Sequence, residues 1–251
     1  MFKPLWGSLL ITTTKNSKVI LIKLTTRSRP EQMFACLDNI LDTAVLQNKI
    51  LLSLDLNDPF CNNSQIREKL ESTYPLVEVK WGYSKNKIDA FNRDVPKTGW
   101  DIIVCTSDDI RFKKGFDLQI DSDVQEAGWK FTQNPELENP RMDPGIFDCT
   151  VWYGDGAPHG KIMTVPIMTR KYYERLGYIY NPQYQSLFCD EEAIYVGEKL
   201  GKIFYSSADI LEHLHPAWGK AAMDPQYQYT QSFYSKDKAV FDQRKAMNFP
   251  L

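Results

Sequence analysis

An α/β fold with a mostly parallel central sheet flanked by helices is what this sequence predicts, on three observations. Between Val19 and Cys105 four short apolar runs alternate with segments whose apolar residues recur at helical spacing, the pattern of successive strand–helix units. The run Ile102–Cys105 is continuously apolar, as in a strand covered on both faces of a parallel sheet. Each run gives way at its carboxyl end to polar or charged residues, and that edge is where open α/β sheets bind ligands.

The first unit is a strand from Val19 to Leu24, a loop over Thr25, Thr26, Arg27, Ser28, Arg29 and Pro30, and a helix aligning Met33, Phe34, Leu37, Ile40, Leu41 and Ala44. Ser28 with Glu31 three residues on fits a capping box, and Pro30 suits the first helical turn. A second strand over Ile50–Leu54 leads into a turn from Asp55 to Pro59 and a short helix carrying Ile66 and Leu70. The third strand, Leu76 to Val79, runs out through Trp81, Gly82 and Tyr83 to Ser84, ahead of a helix with Ile88 and Phe91. The fourth breaks directly onto Thr106, Ser107, Asp108 and Asp109.

From Gln119 to Pro166 the pattern loosens, punctuated by Asn134-Pro135, Asn139-Pro140 and Asp143-Pro144, and reads as irregular. Order returns with a helix near Thr169–Leu176, a loop over Gly177–Ser186 and a helix from near Asp190 carrying Ala193, Ile194, Val196, Gly197 and Leu200. An extended run from Ile203 leads to Glu212, His213, Leu214, His215 and Pro216, and a helical or extended tail follows. The expected organisation is one domain over 1–251: a nucleotide-binding half at 19–118, a second half at 119–216 and a C-terminal tail at 217–251.

The net charge of −2 gives no global reason to expect nucleic acid as a partner. Five widely spaced cysteines with no C-x-x-C pair read as reduced core thiols. No apolar run approaches the ~20 residues of a membrane span, and the amino terminus lacks a clear signal-peptide pattern. A cytoplasmic protein is the expectation. Aromatics crowd into the second half, notably Tyr172, Tyr173, Tyr178, Tyr180 and Tyr184, where packing is favoured over a sugar- or base-binding platform. No G-x-x-x-x-G-K-[ST] loop, G-x-S-x-G elbow or G-x-G-x-x-G fingerprint is present.

Several groups have chemistry to offer. Adjacent carboxylates at Asp108 and Asp109 suit a hard cation, although Asp is also common in turns. His213 and His215 lie two apart in an extended segment, so both face one side. A mixed Asp/His site leans towards manganese. Arg27 and Arg29 stand where a diphosphate would lie. Asp55 and Asp58 can accept hydrogen bonds from a base or ribose, and Ser84, Lys85 and Asn86 offer donors and acceptors. Asp190, Glu191 and Glu192 open a helix, where carboxylates are favoured by the dipole and where one could act as a general base.

The order of these features from Val19 to Pro216 resembles the glycosyltransferases of the GT-A fold, particularly the broad family 2-like group of bacterial or phage type. The resemblance implies a GT-A (Rossmann-like) domain in which Thr25, Arg27, Arg29, Asp55, Ser84, Lys85, Asn86, Ser107 and Asp108 hold a nucleotide-sugar. It implies that Asp109 and His213 or His215 hold Mn²⁺ or Mg²⁺, that Asp190 is the catalytic base, and that Glu191 and Glu192 lie on the acceptor side. Ser107 stands where the usual D-x-D motif has its first Asp, so the motif is degenerate. The implied activity is metal-dependent transfer of a hexosyl-type sugar from a UDP-sugar to a carbohydrate or other hydroxyl-bearing acceptor, with inversion. The rivals are a non-catalytic nucleotide-sugar or carbohydrate-binding protein and a sugar nucleotidyltransferase. The latter is disfavoured because Thr25–Pro30 contains no glycine. A modified-DNA acceptor has no support from the net charge.

Overall fold

The computed structural model describes residues 18–132, 147–156 and 162–251. Strand β1 (Ile20–Thr25) is followed by helix α1 (Pro30–Thr43), β2 (Lys49–Asp55) by α2 (Ser64–Thr73), and β3 (Val77–Gly82) by α3 (Lys87–Asn92). Strand β4 (Ile102–Ser107) completes a parallel set ordered β3-β2-β1-β4. All of β1 is buried, because its two faces enter two cores. Ile20, Ile22 and Leu24 pack with Met33, Phe34, Leu37 and Ile40 of α1. Leu21 packs with Ile88 and Phe91 of α3 on the other side. The continuous apolar runs thus record coverage on both faces.

The chain continues through β5 (Ile110–Phe112), α4 (Phe116–Thr132), β6 (Thr150–Tyr153), β7 (Ile167–Thr169), α5 (Arg170–Leu176) and α6 (Cys189–Leu200). Then come β8 (Ile203–Ser206), β9 (Leu211–His213), a 3₁₀ turn at Pro216–Trp218, α7 (Pro225–Gln231) and α8 (Tyr234–Ala246). The main sheet runs β3-β2-β1-β4-β7-β6-β8. Strand β7 is antiparallel to β4 and β6, and β6 is parallel to β8. Strands β5 and β9 form a separate antiparallel pair with Ile110 opposite His213. Helix α6 lies close against β8 because Gly197 has no side chain; a Cβ there would come within 2.8 Å of Ile203.

Four expectations are corrected. Ser28 does not cap α1. It sits at φ 60°, its N–H donates to Asp58 at 2.7 Å, and Arg29 takes the N-cap position without a side-chain bond. Pro30 at the first helical position has no N–H to satisfy, and the Asp58 carboxylate takes the serine. Leu76 lies outside β3 and is exposed. The run from Ile203 divides between two sheets. Gln119–Thr132 is helical, burying Ile120, Val124 and Ala127 at helical spacing. Its pattern is masked by polar residues that turn inward: Asp117 accepts the Val45 and Leu46 N–H groups, and Asp123 accepts the Tyr153 hydroxyl at 2.7 Å. The three X-Pro pairs between Asn134 and Pro144 lie outside the described residues.

All five cysteines are free and buried. No described helix is long and apolar enough to cross a membrane.

Candidate active site

Parallel pairing sets the carboxyl ends of β1, β2 and β4 side by side, with Thr25 opposite both Ser53 and Ser107. A cavity of about 500 Å³ opens there, and the starts of α3 and α6, the His213–Trp218 segment and α7 enclose it. Thr25, Arg27, Arg29, Asp55, Ser84, Lys85, Asn86, Ser107, Asp108, Asp109, Asp190, His213 and His215 all line it. Asp58, Glu191 and Glu192 do not. Asp58 spends its carboxylate on the Ser28 and Phe60 N–H groups. Glu192 faces away into a buried set, accepting from Asn181 (3.0 Å), Tyr184 (2.7 Å) and Arg244 (2.7 Å).

At one end, Arg27 Nη1 donates to Asp55 Oδ2 at 2.6 Å and to Asn57 Oδ1 at 3.1 Å. The other Asp55 oxygen is buried without a hydrogen-bond partner, 3.5 Å from the Arg93 guanidinium. Arg93 also donates to Ser84 Oγ. Asn86 caps α3 by accepting the Asp89 N–H, which places Lys87 in the first helical turn at the cavity wall.

The centre is built on the two adjacent aspartates. Asp108 accepts the Thr26 hydroxyl and Arg29 Nη1. Arg29 also donates to Asp224 at 2.7 Å and stacks 3.9 Å over the Tyr227 ring, tying α7 to the sheet edge. Asp109 Oδ1 accepts the Ser107 hydroxyl; Oδ2 accepts the Tyr227 hydroxyl at 2.9 Å and faces His213 Nε2 at 3.4 Å. His213 Nδ1 lies 3.0 Å from Asp155, which also accepts the Thr164 hydroxyl. The His215 ring sits 4.9 Å from that of His213 and accepts the Ala217 N–H.

These contacts separate the aspartates electrostatically. Burial, reinforced by the neighbouring Asp109 charge, pushes Asp108 up to about 6. Burial also opposes ionisation of Asp109, but bonds from His213 and Ser107 hold it well below the usual carboxylate range. For His213, burial disfavours the imidazolium while Asp109 and Asp155 raise its pKa overall. Burial, with His213 alongside, lowers His215 to about 4. Burial raises Asp190, with Lys87 acting the other way.

Asp109 and His213 fit a divalent cation as two protein ligands. Their facing atoms converge on the cavity, and the Asp155 contact at Nδ1 fixes the ring so that Nε2 is presented. Among the described residues no group of three or more His, Cys, Asp or Glu side chains is arranged to hold a metal. Mg²⁺-type sites use one or two carboxylates and take their remaining ligands from substrate phosphates and water.

Sequence reading overlooked Thr26, Lys87, Asp155, Trp218, Asp224 and Tyr227. Thr26 and Lys87 adjoin runs already singled out. Nothing local distinguishes the rest, which meet the site through chain reversals of up to 195 residues, as in the Arg29–Asp224 bond.

No family model and no curated protein sequence matches the chain. Its fold does match solved structures. S. aureus TarS 1-349 superposes with a TM-score of 0.54 at 10% identity, over 78% of this chain and 60% of that one. Its complex with UDP-GlcNAc gives 0.54 at 9% identity, over 88% and 66%. The mannosyltransferase PcManGT from Pyrobaculum calidifontis, in complex with GDP-Man and Mn²⁺, gives 0.50 at 13%, over 85% and 69%. The chain thus spans 60% of the length of TarS 1-349. The likeness is one of fold: a GT-A-type α/β architecture with a mostly parallel central sheet.

Proposed function

We propose that this chain is a glycosyltransferase that moves a sugar from a nucleotide-diphosphate sugar, a UDP-sugar, to an acceptor hydroxyl with inversion. The observation that carries the reading is convergence on one cavity of Asp55 with Arg27, Asp109 with His213, and Asp190 with Lys87. The complexes of fold relatives with UDP-GlcNAc and with GDP-Man and Mn²⁺ support the ligand class.

Asp55 lines the cavity at the end of β2, with one oxygen held by Arg27 and the other beside the Arg93 guanidinium, and would meet the base of the donor there. Lys87 and Arg27 supply cationic donors for the diphosphate. Asp109 and His213 would hold Mn²⁺ or Mg²⁺, which when bound supplies positive charge to the departing diphosphate. Asp190 takes the proton from the acceptor hydroxyl. The freed oxygen bonds to the anomeric carbon as the bond to the diphosphate oxygen breaks, and direct displacement inverts the centre. A carboxyl raised by burial is a better base for this step.

The test is incubation with α-linked UDP-sugars and Mn²⁺, with water or added saccharides as acceptor, followed by NMR. Release of UDP with a β-configured sugar product is expected. A product of retained configuration, or intact donor under every condition, overturns the reading.

A further inference from the structure

The proposed reaction needs Asp190 aimed at one atom, yet the turn that delivers it is strained. Phe188, immediately before α6, sits at φ 64° and ψ −10°, a conformation that bulky residues adopt only where their surroundings over-determine it. Helix α8 supplies those surroundings. Asp237, with no exposed surface, accepts three consecutive backbone N–H groups, from Gln185 at 3.0 Å, Ser186 at 2.8 Å and Leu187 at 2.8 Å. The Phe188 ring rests on Tyr234 and Phe241 of the same helix, with centroids 5.2 and 5.6 Å away. One turn into α6, Glu192 is paired with Arg244 of α8, both nearly fully buried. On the other side, the Gln185 carbonyl accepts the Ile88 N–H at 3.4 Å, which ties the turn to α3 beside Lys87.

We infer that α8 is a clamp for the turn that carries Asp190, and that Asp237 is its principal positioning residue. Three parallel amide bonds to one buried carboxylate fix the path of the chain, and the aromatic contacts hold Phe188 in its left-handed conformation. The catalytic consequence rests on the glycosyltransferase reading; the mechanical role does not.

Two variants of the full chain test it with two readouts. Asp237→Asn keeps the side-chain size but replaces one acceptor oxygen by a donor. Phe188→Gly removes the ring and accepts positive φ without strain. Hydrogen exchange is expected to accelerate at the Gln185–Leu187 amides and across the first turn of α6 in both variants. The turnover number is expected to fall about 10- to 100-fold, as for a displaced catalytic group, while donor KM and the thermal shift given by UDP stay unchanged. Should Asp237→Asn fail to fold, Phe188→Gly decides by the same split. Unchanged exchange at these amides, or turnover close to wild type in the folded variants, overturns the clamp. A wild type that neither binds UDP nor cleaves a UDP-sugar overturns the glycosyltransferase reading, and the exchange data still decide the clamp.

Discussion

The two sides of the cavity are built by different means. On the β1–β4 side the candidate residues follow the carboxyl ends of parallel strands, and backbone pairing brings Thr25, Asp55 and Ser107 together, with Asp109 two residues beyond. On the carboxyl-terminal side backbone pairing places His213, opposite Ile110, but side-chain bonds do most of the holding: Asp237 to the 185–187 amides ahead of Asp190, Asp155 to His213, and Tyr227 to Asp109. A sheet edge is a site that topology provides at little extra cost, whereas the opposite wall depends on buried polar groups that must all be satisfied. The sheet-edge wall should therefore tolerate local change better than the opposite wall.

The largest expected effect lies on the second side. Asp190→Asn should lower turnover by about 10²- to 10⁴-fold, the range for loss of a general base, with the UDP-induced thermal shift retained. Steady-state kinetics beside thermal unfolding reads both. Turnover near wild type would remove Asp190 from the chemistry and break the division of labour.

Next is the buried ion pair. Arg244→Met strands the Glu192 carboxylate, which is 2% exposed, and should cost about 3–5 kcal/mol in urea unfolding. The double variant Arg244→Met with Glu192→Leu should recover most of that, because the stranded charge is gone. A single variant as stable as the wild type would show that α8 is not needed to hold α6.

The smallest effect belongs to the sheet side. Lys23 is fully buried in β1 and donates to Ser53 Oγ at 2.6 Å, which donates onward to Asp94. Burial lowers its pKa from 10.5 to about 8. Between those values the unfolded chain holds a proton that the folded chain lacks, so stability should rise with pH across that window. Lys23→Met should abolish this rise without altering UDP binding. Urea titrations on either side of the window measure it, and an unchanged slope in the variant would assign the rise to other groups.

The same contrast governs what could be read from the sequence. Strands β1, β2 and β4 announce themselves because burial on both faces writes an apolar run, whereas β3 buries only Val77, and Asp55, Asp108 and Asp109 follow from where the buried runs stop. Asp190 and His213 drew attention through residue type and the family resemblance, not through any local sign of what holds them. Lys87, Asp237 and Arg244 carry no sign of their place in the sequence; the last two lie in the tail yet are 0% and 3% exposed, since partners about fifty residues away bury them. Helix α4 was hidden for a related reason: Asp117 and Asp123 turn inward to bonds that sequence spacing does not show.

Thermal unfolding with nucleoside diphosphates and UDP-sugars, each with Mn²⁺ or with chelator, in the wild type and in Asp109→Asn, tests the central claim most directly. A ligand that binds only the folded chain stabilises it by about 2.7 kcal/mol at a hundredfold excess over Kd. The expected result is a shift with UDP or a UDP-sugar that requires the cation and is lost in Asp109→Asn. No shift with any nucleotide, with or without the ion, would contradict a nucleotide-sugar site at the carboxyl edge of this sheet.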